Sequence, residues 1–308
     1  MYWQKTLKEE INLRSVGLHS GRKVGMTIRP AEADTGIVFI RKDVPTDNRI
    51  AADIQNVTDT TLATTLGVNG TRVHTVEHLL SAFRGLGVDN AVVEVDTFEV
   101  PIMDGSSQPF VSILKNVGLK TLKKPRRYLR VKKTVSVSEG ESRASLEPAS
   151  DFRITYKIDF PHPAVGTQTY HMVFSPDAYD KEISSARTFG FLRDVEYLQA
   201  KGLALGGSLQ NAVVLDDEKV INKEGLRSPD EFVKHKILDA IGDLYLIGMP
   251  IIGHFTAYKS GHKLNTQLLK ALLASEESWE IVSHPHPPAR AEAREEGVPD
   301  LQVAAATT

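Results

Sequence analysis

The stretch Phe232 to Asp243 reads F-V-K-H-K-I-L-D-A-I-G-D and places His235, Asp239 and Asp243 at i, i+4 and i+8. On a helix, residues four apart lie one turn above each other, so an imidazole and two carboxylates stack along one stripe. Phe232, Val233, Ile237, Leu238, Ile241 and Leu244 surround the stripe and give the segment a core-facing composition. Buried carboxylates need partners, so this helix is bound or bonded to something. Its surroundings set the fold. A helix from about Asp230 to Leu246 runs through G-M-P into the strand I-I-G-H-F-T-A-Y. The same order occurs earlier, as a helix from about Val76 to Arg84, the turn G-V-D-N and the strand A-V-V-E-V-D. With the strands K-V-G-M-T-I-R-P and G-I-V-F-I-R, the chain reads as α+β, in two similar layered units of sheet and helix. The likeness rests on element order, since identity between the units is negligible. Two such units facing each other can each contribute groups to a site at their interface, a common place for pockets.

Each unit carries a histidine on its helix. His74-Thr75-Val76-Glu77-His78 opens the apolar run L-L-S-A-F, and Gly85 and Gly87 are expected to end that helix. The His235/Asp239 pair can supply two ligands to a metal that prefers nitrogen and oxygen donors. A Glu beside a ligand His is the usual arrangement of a base next to a metal-bound water. Lys259-Ser260-Gly261-His262 adds another His after a small, flexible pair. The residues therefore point to His78, His235 and Asp239 as ligands, Glu77 as base, and Asp243 with His262 as a candidate second pair. One competing pattern is formally present. His74-x-x-Glu77-His78 is H-x-x-E-H, the inverted zincin signature, which makes His74 and His78 ligands of a metallopeptidase. That reading leaves the His235 stripe with no task, and His74 is expected to sit at the helix N-terminus without a ligand role.

Composition sets outer bounds. The 308 residues suit two domains better than one. Hydrophobic content of 41% and charged content of 25% are ordinary for a soluble globular protein. A net charge of −2 gives no global argument for nucleic acid. With no cysteine, any metal must be held by His and carboxylates. The N-terminus lacks the apolar core of a signal peptide, and no stretch of about 18 apolar residues is present. A cytoplasmic, monomeric enzyme is expected. The boundary is placed near Lys124, giving residues 1–124 and 125–283 as the two α+β domains. From Lys115 to Lys133 there are nine Lys/Arg and no acid. The simplest reading is a solvated linker, the alternative a patch for a phosphate-bearing substrate or an anionic membrane. The tail 284–308, rich in Pro, Ala and Glu, is expected to be loosely ordered, which leaves His284 and His286 without a ligand role.

No phosphate loop or dinucleotide fingerprint occurs, so nucleotide hydrolysis and dinucleotide binding lack support. Met103-Asp104-Gly105-Ser106 reads as a turn. Ala186 to Phe191, A-R-T-F-G-F, is either a core strand or a substrate-contact loop in which Thr188 offers a hydroxyl.

Taken together, T-V-E-H followed by L-G-V-D-N, then P-I-M-D-G-S, A-R-T-F-G-F, L-G-G-S, E-G-L-R, H-K-x-x-D-x-x-G-D and S-G-H resemble, in order, the UDP-3-O-acyl-N-acetylglucosamine deacetylase family, zinc amidases of lipid A synthesis. The resemblance spans about Thr6 to Val282. It implies two layered α+β domains with zinc between them, Fe2+ being an alternative metal in the cell, and a UDP-linked acylated glucosamine as substrate. It implies that His78, His235 and Asp239 bind the metal, that Glu77 is the general base, and that His262 is a second catalytic residue oriented by Asp243. Thr188 matches the oxyanion donor. Lys236 and Phe189 match residues lining the substrate site, and Phe160 the aromatic that stacks on uracil. Phe191 to Val214 resembles the insert that forms an acyl-chain passage, with Leu192, Val195, Ala204, Gly207 and Ala212 along it. Two positions depart from the family. Members commonly carry a small or acidic residue where this chain has His74, and A-L-N-N where it has Lys263-Leu264-Asn265-Thr266. The non-enzymatic alternative is a sugar-nucleotide-binding or scaffold protein with a structural metal. Structural zinc sites close with four ligands, so a three-ligand set beside a Glu argues against it.

Overall fold

The computed structural model describes residues 3–283 and is an α+β fold; the tail expected from 284 onward lies outside the described residues. In the first half, strands Ile11–Val16, Lys23–Pro30, Ala91–Val95, Ile37–Arg41 and Arg49–Ala51 form one sheet in that order. Lys23–Pro30 alternates as its pattern requires, with Val24, Met26 and Ile28 buried and Lys23 and Arg29 exposed. Ile37–Arg41 lies parallel to Ala91–Val95 and is buried along most of its length, as expected of a strand covered on both faces. In the second half, Ile251–Tyr258 is the central strand of a seven-stranded sheet. It pairs antiparallel with Ser142–Glu147 and parallel with Phe152–Phe160, and its start runs parallel to Tyr128–Val131.

The two helices foreseen from the sequence are Glu77–Leu86 and Glu231–Tyr245, and they pack against each other. Gly242 permits this. A Cβ there would lie 2.1 Å from the Glu77 carbonyl oxygen, so the absence of a side chain lets the second helix abut the first turn of the other. The helix His262–Ala274 packs against Glu231–Tyr245 and the hairpin Val135–Glu139/Ser142–Glu147. Leu79, Phe83, Ile237, Leu238, Phe255 and Leu268 join one apolar cluster drawn from both halves. Burying each such side chain contributes roughly 1.5–3 kcal/mol.

Two expectations need correction. Gly85 does not end its helix. The chain stays helical to Leu86 and is capped by Gly87 in the left-handed region at φ +75. Gly85 instead makes room for Tyr179, whose ring carbon would stand 2.2 Å from a Cβ. The basic run is not a solvated linker either. Leu119–Pro125 is a strand paired with Trp3–Leu7, and Tyr128–Val131 enters the second sheet. Lys115, Lys124, Arg126 and Arg130 pair with Asp180, Asp34, Asp89 and Glu280. Acids distant in sequence neutralise much of a run that is uniformly basic when read linearly.

Candidate metal centre and active site

Two imidazoles and a carboxylate converge where the packed helices meet. His78 Nε2 and His235 Nε2 stand 3.5 and 3.3 Å from Asp239 Oδ1, and the three donor atoms lie within 4.8 Å of one another. Tetrahedral zinc with bonds of about 2.0–2.2 Å separates its ligands by roughly 3.3–3.6 Å, so both short edges fit. Asp239 Oδ1 is buried and has no hydrogen-bond partner, whereas Lys236 Nζ donates to Oδ2 at 2.6 Å. One oxygen is thus held by the protein and the other is available. His235 Nδ1 lies 3.1 Å from the Ala186 carbonyl. A donor at Nδ1 leaves the Nε2 lone pair facing Asp239, the usual way an outer partner orients a ligand imidazole. Burial pushes the His235 pKa down to about 3, against the pull of Asp239, which keeps the ring neutral as ligation requires. Burial works against the Asp239 charge too, yet His235 and Lys236 hold its pKa well below the usual carboxylate range. With His235 neutral near pH 7, Lys236 is the partner that matters there. The donor set fits a divalent ion.

Glu77 begins its helix, adjacent to His78. Its Oε2 accepts the Thr64 N–H at 3.1 Å, and its Oε1 lies 3.8 Å from His262 Nε2. Burial raises the Glu77 pKa although His262 and His78 pull it down. His262 Nδ1 is 2.9 Å from Asp243 Oδ2. Burial disfavours the imidazolium, but the Asp243 charge and hydrogen bond, with Glu77 and Asp239 behind them, raise the His262 pKa to about 9. Asp243 is therefore outside the donor trio and bonded to His262, as the second-pair reading required.

His78, His235, Asp239, Glu77 and His262 line one cavity of about 1010 Å³, whereas Asp243 and Thr64 lie behind its wall. Thr188, Phe160, Phe189 and Lys236 line it as well, as do Leu192, Val195, Ala204, Gly207 and Ala212. Phe160 and Phe189 meet edge to face at 5.6 Å, and Phe189 in turn contacts Phe232 and His235. The A-R-T-F-G-F segment reconciles its two readings: Phe189–Phe191 is a strand parallel to Val213–Leu215, and it also faces the cavity. The Thr188 backbone is held between the Gly105 carbonyl and the Val213 N–H. The L-G-G-S segment seals one wall, with Gly206 N–H bonded to the Leu18 carbonyl and no room for a Cβ, which would lie 2.2 Å from the Gly17 carbonyl oxygen.

His74 stays out of the donor set. Thr75 has φ +58, which breaks the backbone before the helix begins at Glu77, so His74 and His78 do not share a helical face. His74 Nδ1 instead bonds Thr65 Oγ1 at 2.9 Å. The inverted-zincin arrangement is absent among the described residues. Lys263, the other departure, pairs with Glu139 at the cavity rim. Several groups escaped the sequence reading. His19 lines the cavity, Thr64 and Asn265 both donate to Asp243, and Arg187 makes a buried, bidentate pair with Glu231. Only the Arg187 pair left a trace, as an arginine inside the apolar A-R-T-F-G-F run; a threonine within T-D-T-T-L-A-T-T has no distinguishing mark.

Residues 4–274 match the family described as LpxC: UDP-3-O-acyl N-acetylglycosamine deacetylase. A UDP-3-O-acyl-N-acetylglucosamine deacetylase of Syntrophus aciditrophicus (strain SB) is 64% identical over 283 residues, covering 92% of this chain and 90% of the relative. Proteins of the same name from Shewanella sp. (strain W3-18-1) and Shewanella oneidensis are each 53% identical over 287 residues, covering 92% of this chain and 94% of theirs. A family match over nearly the whole chain, joined to relatives at this identity, means that the chain belongs to the UDP-3-O-acyl N-acetylglycosamine deacetylase family.

Proposed function

We propose that this chain hydrolyses the 2-acetamido group of a UDP-3-O-(3-hydroxyacyl)-N-acetylglucosamine, releasing acetate, in lipid A biosynthesis. The observation that carries this reading is the buried donor trio with an unpartnered Asp239 oxygen, facing Glu77 and His262 across one cavity. His78, His235 and Asp239 would hold the metal, zinc in the first instance with Fe2+ as the alternative. When bound, the metal supplies Lewis acidity, polarising the acetyl carbonyl and making a water acidic near pH ~7.

The remaining work falls to side chains. Glu77, with its raised pKa, takes the water proton as the water oxygen attacks the carbonyl carbon. The Thr188 hydroxyl donates to the oxyanion of the tetrahedral adduct. His262, charged at neutral pH because Asp243 faces it, gives its proton to the leaving nitrogen as the C–N bond breaks, leaving a free amine and acetic acid. The acid's proton returns to His262 and Glu77 gives up the water proton to solvent, so that acetate is released. Lys236 and Phe189 line the substrate site, and Phe160 stacks on uracil. Leu192, Val195, Ala204, Gly207 and Ala212 form the passage for the acyl chain.

We take residues 1–124 and 125–283 as the two α+β units, with the site on their seam, and the protein as a cytoplasmic monomer. Among the described residues no helix is long and apolar enough to cross a membrane. The test is acetate release from the UDP-sugar by the purified protein. Activity should vanish with a chelator and return with zinc. Metal-independent release, or none by the zinc-loaded protein, overturns the reading.

A further inference from the structure

Asp243 is 1% exposed, and the mechanism asks it only to face His262. Its oxygens are nevertheless fully engaged. Oδ2 faces His262 Nδ1 and Asn265 Nδ2, both at 2.9 Å. Oδ1 accepts a single hydrogen bond, from Thr64 Oγ1 at 2.6 Å. Thr64 is itself completely buried and lies 179 residues away in sequence. Its backbone has a second attachment. The Thr64 N–H donates to Glu77 Oε2 at 3.1 Å, and its carbonyl accepts the Val76 N–H at 3.3 Å. One residue thus grips the base through its backbone and the histidine's tether through its hydroxyl.

We propose that Thr64 is a positioning residue that sets the Glu77–His262 pair in register through Asp243; the inference rests on the deacetylase reading above. The two groups belong to different helices, Glu77 to Glu77–Leu86 and Asp243 to Glu231–Tyr245. Without a cross-link, the carboxylate can turn about its last torsion, since such terminal torsions are broad. The Thr64 hydroxyl gives Asp243 one orientation, with Oδ2 toward His262. Charge-assisted O–H···O bonds of this length are among the strong ones, and partners that orient a working side chain matter at the level of about 10–100-fold.

Thr64→Val keeps the backbone contacts to Glu77 and Val76 and replaces the hydroxyl with a methyl group that cannot donate to Asp243. Its kcat should fall by about 10-fold or more, with KM and bound metal unchanged, and Thr64→Ser should restore most of the rate. The deciding measurement is a double-mutant cycle with Asp243→Asn. If Thr64 acts through Asp243, Thr64→Val should lower kcat no further in the Asp243→Asn background. An equal loss in both backgrounds, or a Thr64→Ser variant as slow as Thr64→Val, overturns the proposal. Should Thr64→Val fail to fold, Thr64→Ala and the cycle built from it carry the test, with a loss that vanishes beside Asp243→Asn expected and a persistent loss overturning it. Turnover by the wild-type enzyme tests the deacetylase reading separately, so the two can fail independently.

Discussion

Replacing Gly242 with alanine puts a methyl group where the Glu77 carbonyl oxygen now sits. The ideal Cβ lies 2.1 Å from that oxygen and 3.0 Å from the Glu77 Cα. Contacts below 3.0 Å are essentially never seen for real Cβ atoms, so the two helices must separate by at least 3.0 − 2.1 = 0.9 Å. Both surfaces are helical backbone and cannot rotate away. Overpacking of this kind reaches about 3 kcal/mol. Alanine returns about 1 kcal/mol, because glycine is the poorer residue inside a helix. The net loss is about 2 kcal/mol, which lowers Tm by roughly 4–8 °C in a domain of this size. The larger effect concerns the site. Glu77 and His78 lie on one helix, His235 and Asp239 on the other, so a ~1 Å separation opens the site along its seam. A misplacement of ~1 Å can cost ~10²-fold in rate. Kinetics on the UDP-sugar, metal analysis and thermal melting of Gly242→Ala would show all of these. A variant within about 3-fold of wild-type kcat/KM and with unchanged Tm refutes the claim that close helix contact holds the site.

Further outcomes follow from the same geometry. His78→Ala and Asp239→Ala should lose metal, whereas Glu77→Gln should keep it while kcat drops by about 10²–10⁴; metal loss in His74→Ala with retention in Asp239→Ala would reverse the ligand assignment. The His262 pKa is raised from 6.5 to about 9, so its ion pair stabilises the fold fully below pH 6.5 and is lost as pH rises through about 9. Wild-type kcat should therefore have an alkaline limb near pH 9, and Tm should decline across that window. Asp243→Asn should move the limb to lower pH and flatten the decline, and a limb that stays put would remove His262 as the titrating acid. Ala212→Phe should weaken turnover of long-chain substrates more than short ones, and equal losses would detach Ala212 from the acyl passage.

Much of the molecule was legible as sequence because its periodicities are local. The i, i+4 spacing of His235 and Asp239 put two donors on one helical face, and alternation in Lys23–Pro30 marked a sheet strand. Gly85 misled because a helical glycine reads as a stop, whereas its reason lies in the ring of Tyr179, 94 positions away. The basic run misled for the same reason, its acids being at Asp34, Asp89, Asp180 and Glu280.

The division of labour between sequence and tertiary structure is clearest at Asp243. The chain by itself determined which residue types share a stripe, that no thiolate could serve as a ligand, and that a carboxylate adjoins a histidine at Glu77-His78. Only the packed structure decided that His78 meets His235 and Asp239, that Thr75 turns His74 away, and that Asp243 is hydrogen-bonded by Thr64 and Asn265 and faces His262. Spacing along a helix specifies a direction. The partner waiting in that direction comes from another element, and helix packing, which Gly242 permits to within contact of Glu77, brings it there.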